Sequence, residues 1–259
     1  MSVQIHPASF VEPGAQLGVD VVIGPGAVIG PDVRIGDRTR VDAHALVTGW
    51  TTIGTDCHVH HGAVLGTPPQ DLKYDGHEPS YLEIGDHTVF REYMTANLAT
   101  EPGFTTRIGS HCLFMAYSHV AHNCQIGNRV ILANAVQLAG YVVVDDWAII
   151  GGSTVVHQFT RIGRHSMIGG GSRIPKDVAP FIKCAGSPPR NAGLNSIGLQ
   201  RRGVSRDALA ALEKSYRIFF RGGHTVGKAV EAIRLTLPGI PEVEHFARFC
   251  ETSVRGVSR

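Results

Sequence analysis

The run Ser118-His119-Val120-Ala121-His122-Asn123 carries the side chains best suited by type to acid–base chemistry. Val120 occupies an inward position of a repeat described below, and His119 and His122, on either side of it, are predicted to point outward. An imidazole titrates near about pH 6.5, so its neutral form can remove a hydroxyl proton at neutral pH. The run therefore indicates a general base on an outward surface.

Two positions follow His122 at steps of 18 residues: Gly140 and Gln158, the latter next to His157. A glycine N–H has no side chain to block it and can approach and stabilise an oxyanion. A base, an uncovered N–H and a polar amide are together the parts that acyl transfer needs. They meet only if the chain returns to the same place every 18 residues.

A six-residue repeat is compatible with such a return, because 18 residues are three repeats. Aliphatic residues or Phe recur every sixth residue over 5–65, at 84 and 90, and over 108–174. This period fits neither a helix nor an alternating strand. It predicts a β-solenoid in which stacked coils bury one continuous core. Small side chains fill a second inward position of the repeat. Some of them carry a thiol or a hydroxyl, but we interpret these as packing residues and not as nucleophiles: Cys57, Cys112, Ser118 and Cys124.

A polar segment over 66–83 interrupts the repeat and contains Gln70-Asp71-Leu72-Lys73-Tyr74. Insertions in solenoids project from one face and commonly carry binding groups. The alternative interpretation is a surface loop that the fold tolerates.

The repeat ends near 187, where Pro188-Pro189 marks a boundary and helical patterns begin. Ser205 and Thr225 are predicted to cap two helices, and Pro241 fits the first turn of a third. The residues from 201 onward carry an excess of basic side chains. That excess suits an acidic partner or a phosphate-bearing ligand, although a solvated helical face gives the same pattern.

Composition excludes several classes of protein. The 259 residues are 43% hydrophobic and 18% charged, with a formal net charge of +2, which excludes a disordered chain. No run approaches the roughly 18 apolar residues of a membrane helix, and the N-terminus shows no secretory signal. Five cysteines without a CxxC pair favour a reduced, cytoplasmic setting.

The sequence resembles the UDP-N-acetylglucosamine O-acyltransferases, hexapeptide-repeat transferases that begin lipid A synthesis, over essentially the whole chain. The loop and the Arg-Arg-Gly segment are more specific to this family than the repeat is. The matching motifs are Gln70-Asp71-Leu72-Lys73-Tyr74, His119-Val120-Ala121-His122, Gly127-Asn128-Arg129, Val156-His157-Gln158-Phe159, Asn195 and Gly198-Leu199-Gln200-Arg201-Arg202-Gly203.

The resemblance implies an all-β left-handed parallel β-helix over 1–186, with three hexapeptides per coil, and an α-helical C-terminal domain over 187–259. It implies a homotrimer whose active sites lie in grooves between neighbouring β-helices. The implied reaction transfers a (3R)-3-hydroxyacyl group from acyl carrier protein to the 3-hydroxyl of UDP-N-acetylglucosamine. No metal and no dissociable cofactor is expected, because the acyl group arrives on the carrier's phosphopantetheine. Neither nucleic-acid binding nor stable membrane insertion is expected.

By the same resemblance, His122 is the general base, Asn123 is its neighbour in the catalytic set, and the Gly140 N–H binds the oxyanion. Gly170 matches the position that sets acyl-chain length, where a glycine leaves room for a longer chain. The residues that match substrate-binding positions are Gln70, Asp71, Lys73, His119, Tyr141, His157, Gln158, Asn195, Arg201 and Arg202.

The sequence departs from the family pattern at several of these places. Asn123 stands where Asp is common, Tyr141 where His is common, and Ile197 where Glu is common; the residues at 97–100 also differ. An Asn can orient an imidazole, but it cannot stabilise an imidazolium as a carboxylate does. These departures open the alternative of a 3-amino sugar acceptor and an amide product.

Three further alternatives lie outside that reaction. A zinc enzyme would need His119, His122 and His157 to converge across a subunit interface, without the His-x4-His spacing usual in such hexapeptide-repeat enzymes. A non-catalytic scaffold would explain the departures at Asn123 and Tyr141. An N-acyltransferase acting on UDP-3-O-acylglucosamine would carry an additional N-terminal domain, whereas this repeat begins at Ile5.

Overall fold

The computed structural model describes residues 2–258, in which short strands precede four helices. The strands are β1 (Gln4–Ile5), β2 (Phe10–Val11), β3 (Gln16–Leu17), β4 (Val22–Ile23), β5 (Val28–Ile29), β6 (Arg34–Ile35), β7 (Arg40–Val41), β8 (Leu46–Val47), β9 (Trp50–Ile53), β10 (His58–Val59), β11 (Val64–Thr67), β12 (Tyr81–Ile84), β13 (Val89–Phe90), β14 (Thr95–Asn97), β15 (Thr105–Ile108), β16 (Leu113–Phe114), β17 (His119–Val120), β18 (Gln125–Ile126), β19 (Ile131–Leu132), β20 (Gln137–Leu138), β21 (Val143–Val144), β22 (Ile149–Ile150), β23 (Val155–Val156), β24 (Arg161–Ile162), β25 (Met167–Ile168), β26 (Arg173–Ile174), β27 (Ile182–Ala185) and β28 (Arg190–Leu194). The helices are α1 (Ser196–Arg201), α2 (Arg206–Arg221), α3 (Val226–Thr236) and α4 (Pro241–Glu251).

Successive strands join three parallel sheets in turn, so the chain winds as a three-sided β-helix. Sheet A runs β1-β4-β7-β10-β13-β16-β19-β22-β25-β27-β28, sheet B runs β2-β5-β8-β11-β14-β17-β20-β23-β26, and sheet C runs β3-β6-β9-β12-β15-β18-β21-β24. In regular coils, hydrogen-bonded neighbours lie 18 residues apart, as where the Ser110 N–H donates to Asn128 Oδ1. We name the three edges the AB, BC and CA corners, after the sheets that they join.

Most corners contain one residue in the left-handed backbone region. At successive BC corners, Asn123 has φ 60° and Tyr141 has φ 59°. Asn populates this region far more readily than most residues, whereas an aromatic residue there is uncommon. The tight corner therefore fixes where the side chains on both sides of it point.

The large inward residues of the repeat stack along the axis of the β-helix. Phe90 and Phe114 lie in successive coils with their ring centroids 5.4 Å apart. At the open first coil, Ile5 keeps 49% of its surface exposed because no coil covers it. The repeat therefore predicts which side chains are buried in every coil that has a neighbouring coil above and below it.

The cysteines of the repeat are buried in that core. Burial raises the pKa of the Cys57 and Cys112 thiols to about 11 and that of Cys124 to about 12. The thiolate is the reactive form of cysteine, so these side chains are unreactive and serve packing.

Two insertions interrupt the regular coils, and both leave the β-helix at its BC corner. The first loop covers 68–80, between β11 and β12, so the excursion predicted over 66–83 includes strand residues at both ends. The second covers 98–104, between β14 and β15. It lengthens this coil, so that paired residues of sheet B lie 24 residues apart instead of 18. Thr95 pairs with His119 in this way, and their side chains are in contact. The chain thus places extra residues twice at one corner.

A stack of rings lines the CA corner near the C-terminal end of the β-helix. His165 lies between Trp147 and Phe181, with 5.9 Å between ring centroids on each side. Burial, followed by the charges of Arg164 and Arg202, lowers the pKa of His165 to about 4. The imidazole is therefore neutral at physiological pH.

The C-terminal helices cover the last coils. Ser205 caps α2, accepting the Ala208 N–H at 3.1 Å, whereas Thr225 precedes α3 without a side-chain cap. Pro241 begins α4. After α4 the chain returns to the β-helix, where the Ser258 N–H donates to the Asp177 carbonyl at 2.8 Å. Among residues 2–258, no helix combines the length and apolar character needed to cross a bilayer.

Candidate active site

His122 lies at the BC corner that follows β17, with 13% of its side-chain surface exposed. Its Nδ1 is 2.9 Å from Asn123 Oδ1. The same oxygen lies 3.0 Å from the Thr100 backbone N–H, which can only donate. The atom facing both groups is therefore the amide oxygen, and Nδ1 must carry a proton to donate to it. In the neutral ring, Nε2 is left unprotonated, as a base requires.

Gly140 occupies the equivalent position one coil further along. A Cβ atom at this residue would lie 2.6 Å from His122 Nε2, closer than real Cβ atoms come to any heavy atom. The imidazole thus needs glycine beside it. Among residues 2–258, no backbone carbonyl accepts the Gly140 N–H, although Tyr141 N–H donates to the His122 carbonyl at 3.0 Å. The Gly140 N–H remains available to a ligand.

Two clefts meet at His122. A polar cleft of about 490 Å³ lies on the loop side, and its lining includes Asp71, Lys73, Glu101, Tyr141 and Gln158. A second cleft, of about 340 Å³, follows the face of sheet B; its lining includes Gln70, His119, Gln137, Gly140 and Val155. His122 lines both. A base between two clefts can act on two reactants that enter from different sides.

The first insertion supplies the residues of the loop predicted to bind substrate. Asp71 Oδ2 lies 4.0 Å from His122 Nε2. The loop is attached to the β-helix by Asn97, whose Nδ2 donates to Thr67 Oγ1 at 3.0 Å and to the Pro68 carbonyl at 3.1 Å. The insertion therefore closes one side of the polar cleft.

The two other predicted histidines differ in their surroundings. His119 Nδ1 is 2.7 Å from Thr95 Oγ1, and burial, followed by the charge of His122, lowers the pKa of His119. A neutral His119 beside the base is a hydrogen-bonding group rather than a cation. His157 lies at the BC corner two coils beyond His122, where its Nδ1 is 3.1 Å from the Gln158 carbonyl. It lies outside the lining of both clefts.

Three predicted residues lie at a different corner of the chain. Asn195 Nδ2 donates to the His165 carbonyl at 3.0 Å, and the Arg202 guanidinium lies 4.7 Å from the Trp147 ring centroid. Arg201 is exposed nearby. These contacts belong to the CA corner, so the width of sheet C separates these residues from His122.

Gly170 lies at the third corner, after β25 in sheet A, and is exposed. The face of sheet B separates this AB corner from the corner that holds His122. Within one chain, the residues predicted to bind substrate and measure the acyl chain are therefore distributed over all three corners.

No motif or spacing in the sequence points to Glu101, which belongs to the second insertion and lines the polar cleft. Its carboxylate accepts hydrogen bonds from Thr100 Oγ1 at 2.8 Å, from Asn123 Nδ2 at 2.7 Å and from the Tyr141 hydroxyl. The lapse of the repeat near 102 was the signal available in the sequence, because it marks an insertion at the same corner as His122.

Comparisons with known proteins agree with this architecture. A family model described as "Udp N-acetylglucosamine O-acyltransferase; Domain 2" matches 177–258, and "Bacterial transferase hexapeptide (six repeats)" matches 105–140. An acyl-[acyl-carrier-protein]--UDP-N-acetylglucosamine O-acyltransferase from Thiobacillus denitrificans is 47% identical over 98% of this chain and 99% of its own. The chain belongs to the UDP-N-acetylglucosamine O-acyltransferase family.

Solved structures of this family have the same fold. The UDP-N-acetylglucosamine acyltransferase from Bacteroides fragilis has a TM-score of 0.95 and 36% identity, over 99% of this chain and 100% of its own. LpxA from Acinetobacter baumannii has a TM-score of 0.94 and 38% identity, over 98% of this chain and 99% of its own. The predicted left-handed parallel β-helix with C-terminal helices is confirmed, and so is the predicted family.

One group of side chains described in residues 2–258 has its atoms close enough to share a metal ion, namely Asp42, His58 and His60. It lies on sheet A and the AB corner, away from His122. The histidines of the zinc alternative, 119, 122 and 157, form no such group within one chain.

Proposed function

We propose that this chain transfers a (3R)-3-hydroxyacyl group from acyl carrier protein to the 3-hydroxyl of UDP-N-acetylglucosamine, as the first step of lipid A biosynthesis. The observation that carries the proposal is the position of His122. Its Nδ1 is held by Asn123 at 2.9 Å, and its Nε2 faces the junction of two clefts beside the Gly140 N–H. The relative from Thiobacillus denitrificans is named as an O-acyltransferase that joins an acyl group from acyl carrier protein to this nucleotide sugar.

The reaction then follows from the geometry of the base. The sugar hydroxyl attacks the thioester carbonyl while its proton passes to His122 Nε2. Negative charge develops on the carbonyl oxygen, where the Gly140 N–H stabilises it. Collapse of the tetrahedral intermediate breaks the C–S bond. The imidazolium returns its proton to the sulfur, leaving the phosphopantetheine thiol on the carrier and an ester on the sugar.

We assign the two clefts to the two substrates. The polar cleft, with Asp71, Lys73 and Gln158, suits a sugar with several hydroxyl groups. The cleft along sheet B, with Gln70, His119 and the aliphatic Val155, suits the acyl thioester, whose chain would run toward Gly170 at the far edge of that sheet. The carrier delivers the acyl group on its own phosphopantetheine, so the proposal requires neither a separate cofactor nor a metal.

The proposal includes a homotrimer in which a neighbouring chain completes each site. Asn195, Arg201 and Arg202 lie at the CA corner and cannot reach a substrate bound at His122 of the same chain. If the CA corner of one chain faces the BC corner of the next, the basic side chains meet the nucleotide phosphates or the acidic carrier. We place the enzyme in the cytoplasm, where acyl carrier protein and nucleotide sugars occur together.

The test is the mass of the product. The purified protein is incubated with UDP-N-acetylglucosamine, its 3-amino analogue and carriers loaded with 3-hydroxyacyl chains of different lengths, and the products are analysed by liquid chromatography and mass spectrometry. We expect an alkali-labile acylated UDP-N-acetylglucosamine, and His122→Ala should reduce its formation by at least about 100-fold.

The control is His44→Asn, which changes an exposed histidine at an AB corner several coils away from His122 and keeps a residue suited to its left-handed φ of 57°. It should retain the activity of the unchanged protein. An alkali-stable product formed from the amino analogue alone would reassign the reaction to amide formation. A folded protein that acylates no acceptor from any carrier would favour the scaffold instead.

A further inference from the structure

The carboxylate of Glu101 is partly buried and accepts a set of hydrogen bonds that connects it to the base. Thr100 Oγ1 donates to it at 2.8 Å, Asn123 Nδ2 at 2.7 Å, and the Tyr141 hydroxyl completes the set. Burial opposes ionisation of Glu101, but these three donors outweigh burial and hold the pKa of the carboxyl below its usual value. Glu101 is therefore an anion at neutral pH.

The amide of Asn123 joins this anion to His122. Its Nδ2 donates to Glu101, and its Oδ1 accepts from His122 Nδ1 at 2.9 Å and from the Thr100 backbone N–H at 3.0 Å. An amide that donates to an anion becomes more polarised, so its oxygen becomes a stronger acceptor. The negative charge that Asn123 itself lacks is thus supplied one residue further away.

We propose that Glu101 is a positioning residue that acts through the Asn123 amide to fix the Nδ1–H form of His122 and to stabilise its imidazolium during acyl transfer. This inference rests on the proposed function, and it gives this chain a Glu-Asn-His relay. The relay explains how Asn123 serves at a position where the family commonly has Asp.

The first test is Glu101→Gln. A glutamine keeps the size of the side chain but removes its negative charge. Asn123 and Tyr141 donate to different oxygens of the carboxylate, and in glutamine an NH₂ group replaces one of those two oxygens. We expect kcat to fall by about 10- to 100-fold, less than for loss of the base itself, with little change in KM for the nucleotide sugar. The control is Glu213→Gln, which removes one exposed carboxylate on α2 and should leave kcat unchanged.

The second test exchanges the two groups. In Glu101→Gln/Asn123→Asp, the carboxylate sits directly beside His122 and the glutamine NH₂ donates to it. This double variant should recover kcat to within about threefold of the unchanged protein. Asn123→Asp alone should be impaired, because it places two carboxylates side by side. A purely structural role for Glu101 predicts no such recovery.

The pH profile gives a second readout. The charged and titratable groups around His122 are Asp71 and Lys73 from the first insertion, His119 on the preceding strand, Tyr141 from the next coil and Glu101 through Asn123. Only Glu101 changes in the Glu101→Gln variant. With the imidazolium less stabilised, the acidic limb of kcat/KM should move to lower pH.

The relay is also tested without catalysis. In protein carrying ¹⁵N-labelled histidine, the Nδ1–H signal of His122, assigned by its loss in His122→Ala, should be present and protected from exchange, and it should weaken in Glu101→Gln. The relay is overturned if Glu101→Gln keeps both kcat and this signal, or if the double variant recovers neither. Absence of acyl transfer by the unchanged protein would count against the proposed function, while the NMR signal would still decide the relay.

Discussion

At the residue scale, the corner geometry of the β-helix decides which contacts the sequence can reveal. His122, Gly140 and Gln158 follow one another at steps of 18 residues, so a coil of three hexapeptides, which the family resemblance implies, places them in one column. Asn123 and Glu101 are 22 residues apart, and the chain between them passes through an insertion that follows no repeat. Their hydrogen bond depends on the path of that loop, which residue spacing does not encode.

Replacing Gly140 by alanine should disable the base without unfolding the chain. The added Cβ would lie 2.6 Å from His122 Nε2, so the imidazole must move away from the cleft junction. We expect kcat to fall by about 100- to 10,000-fold, the range that general acid–base catalysis typically contributes. Steady-state kinetics and the thermal unfolding midpoint measure the two effects separately.

Gly227→Ala is the matched control for that substitution. Gly227 lies on α3, and a Cβ there meets no atom within 4 Å. This variant should keep full activity and gain slightly in stability, because alanine favours helix over glycine. Equal activity of the Gly140→Ala and unchanged proteins would contradict the role assigned to this corner.

At the element scale, the sequence predicts individual helices better than the junction that joins them to the β-helix. Ser205, Thr225 and Pro241 each mark the start of a helix, although only Ser205 forms the side-chain cap. The β27–β28 hairpin and α1 have no counterpart in the prediction. The predicted domain boundary between 186 and 187 falls in the turn of that hairpin. Proline residues interrupt the hydrophobic pattern there, but the antiparallel pairing of β27 with β28 continues sheet A beyond them.

The ring stack at the CA corner should make the stability of this region depend on pH. The pKa of His165 is about 4 in the folded chain, against about 6.5 when unfolded. The unfolded chain therefore binds this proton more readily, and stability is lost as pH falls from about 6.5 to 4. The loss amounts to about 3 kcal/mol in the free energy of unfolding.

His165→Phe should remove that component of the pH dependence. Phenylalanine keeps the ring between Trp147 and Phe181, and Phe159 already adopts a φ of 63° at a corner of this chain. Denaturant unfolding between pH 7.5 and 4 measures the difference. His111→Phe changes an exposed histidine at an equivalent corner and should keep the pH dependence of the unchanged protein. Identical pH dependence with and without His165 would refute the assignment.

At the scale of the whole molecule, one chain holds an incomplete set of substrate-binding residues. The base lies at the BC corner, the basic residues at the CA corner and Gly170 at the AB corner. A three-sided prism keeps these edges apart, and no change of side-chain conformation brings them together. Neither the repeat nor the fold of one chain specifies which corners of neighbouring chains meet, which is why the sequence predicts the trimer only through resemblance.

Mixing two inactive variants tests whether sites are shared. His122→Ala removes the base. Arg201→Ala removes an exposed guanidinium, and its loss should lower activity by at least about tenfold. If each site takes His122 from one chain and Arg201 from the next, chains refolded together in equal amounts should regain about a quarter of full activity. Native mass spectrometry should give about three times 27.8 kDa for each sample. Mixtures no more active than their components would place both residues in one chain's site.

The five cysteines offer a use that has nothing to do with catalysis. All five are buried, and they are spaced from the fourth coil of the β-helix to the last helix of the chain. Each thiol becomes available to an alkylating reagent only when its own coil or helix opens. Timed alkylation followed by peptide mapping would therefore record, in one sample, the order in which the solenoid unravels from end to end.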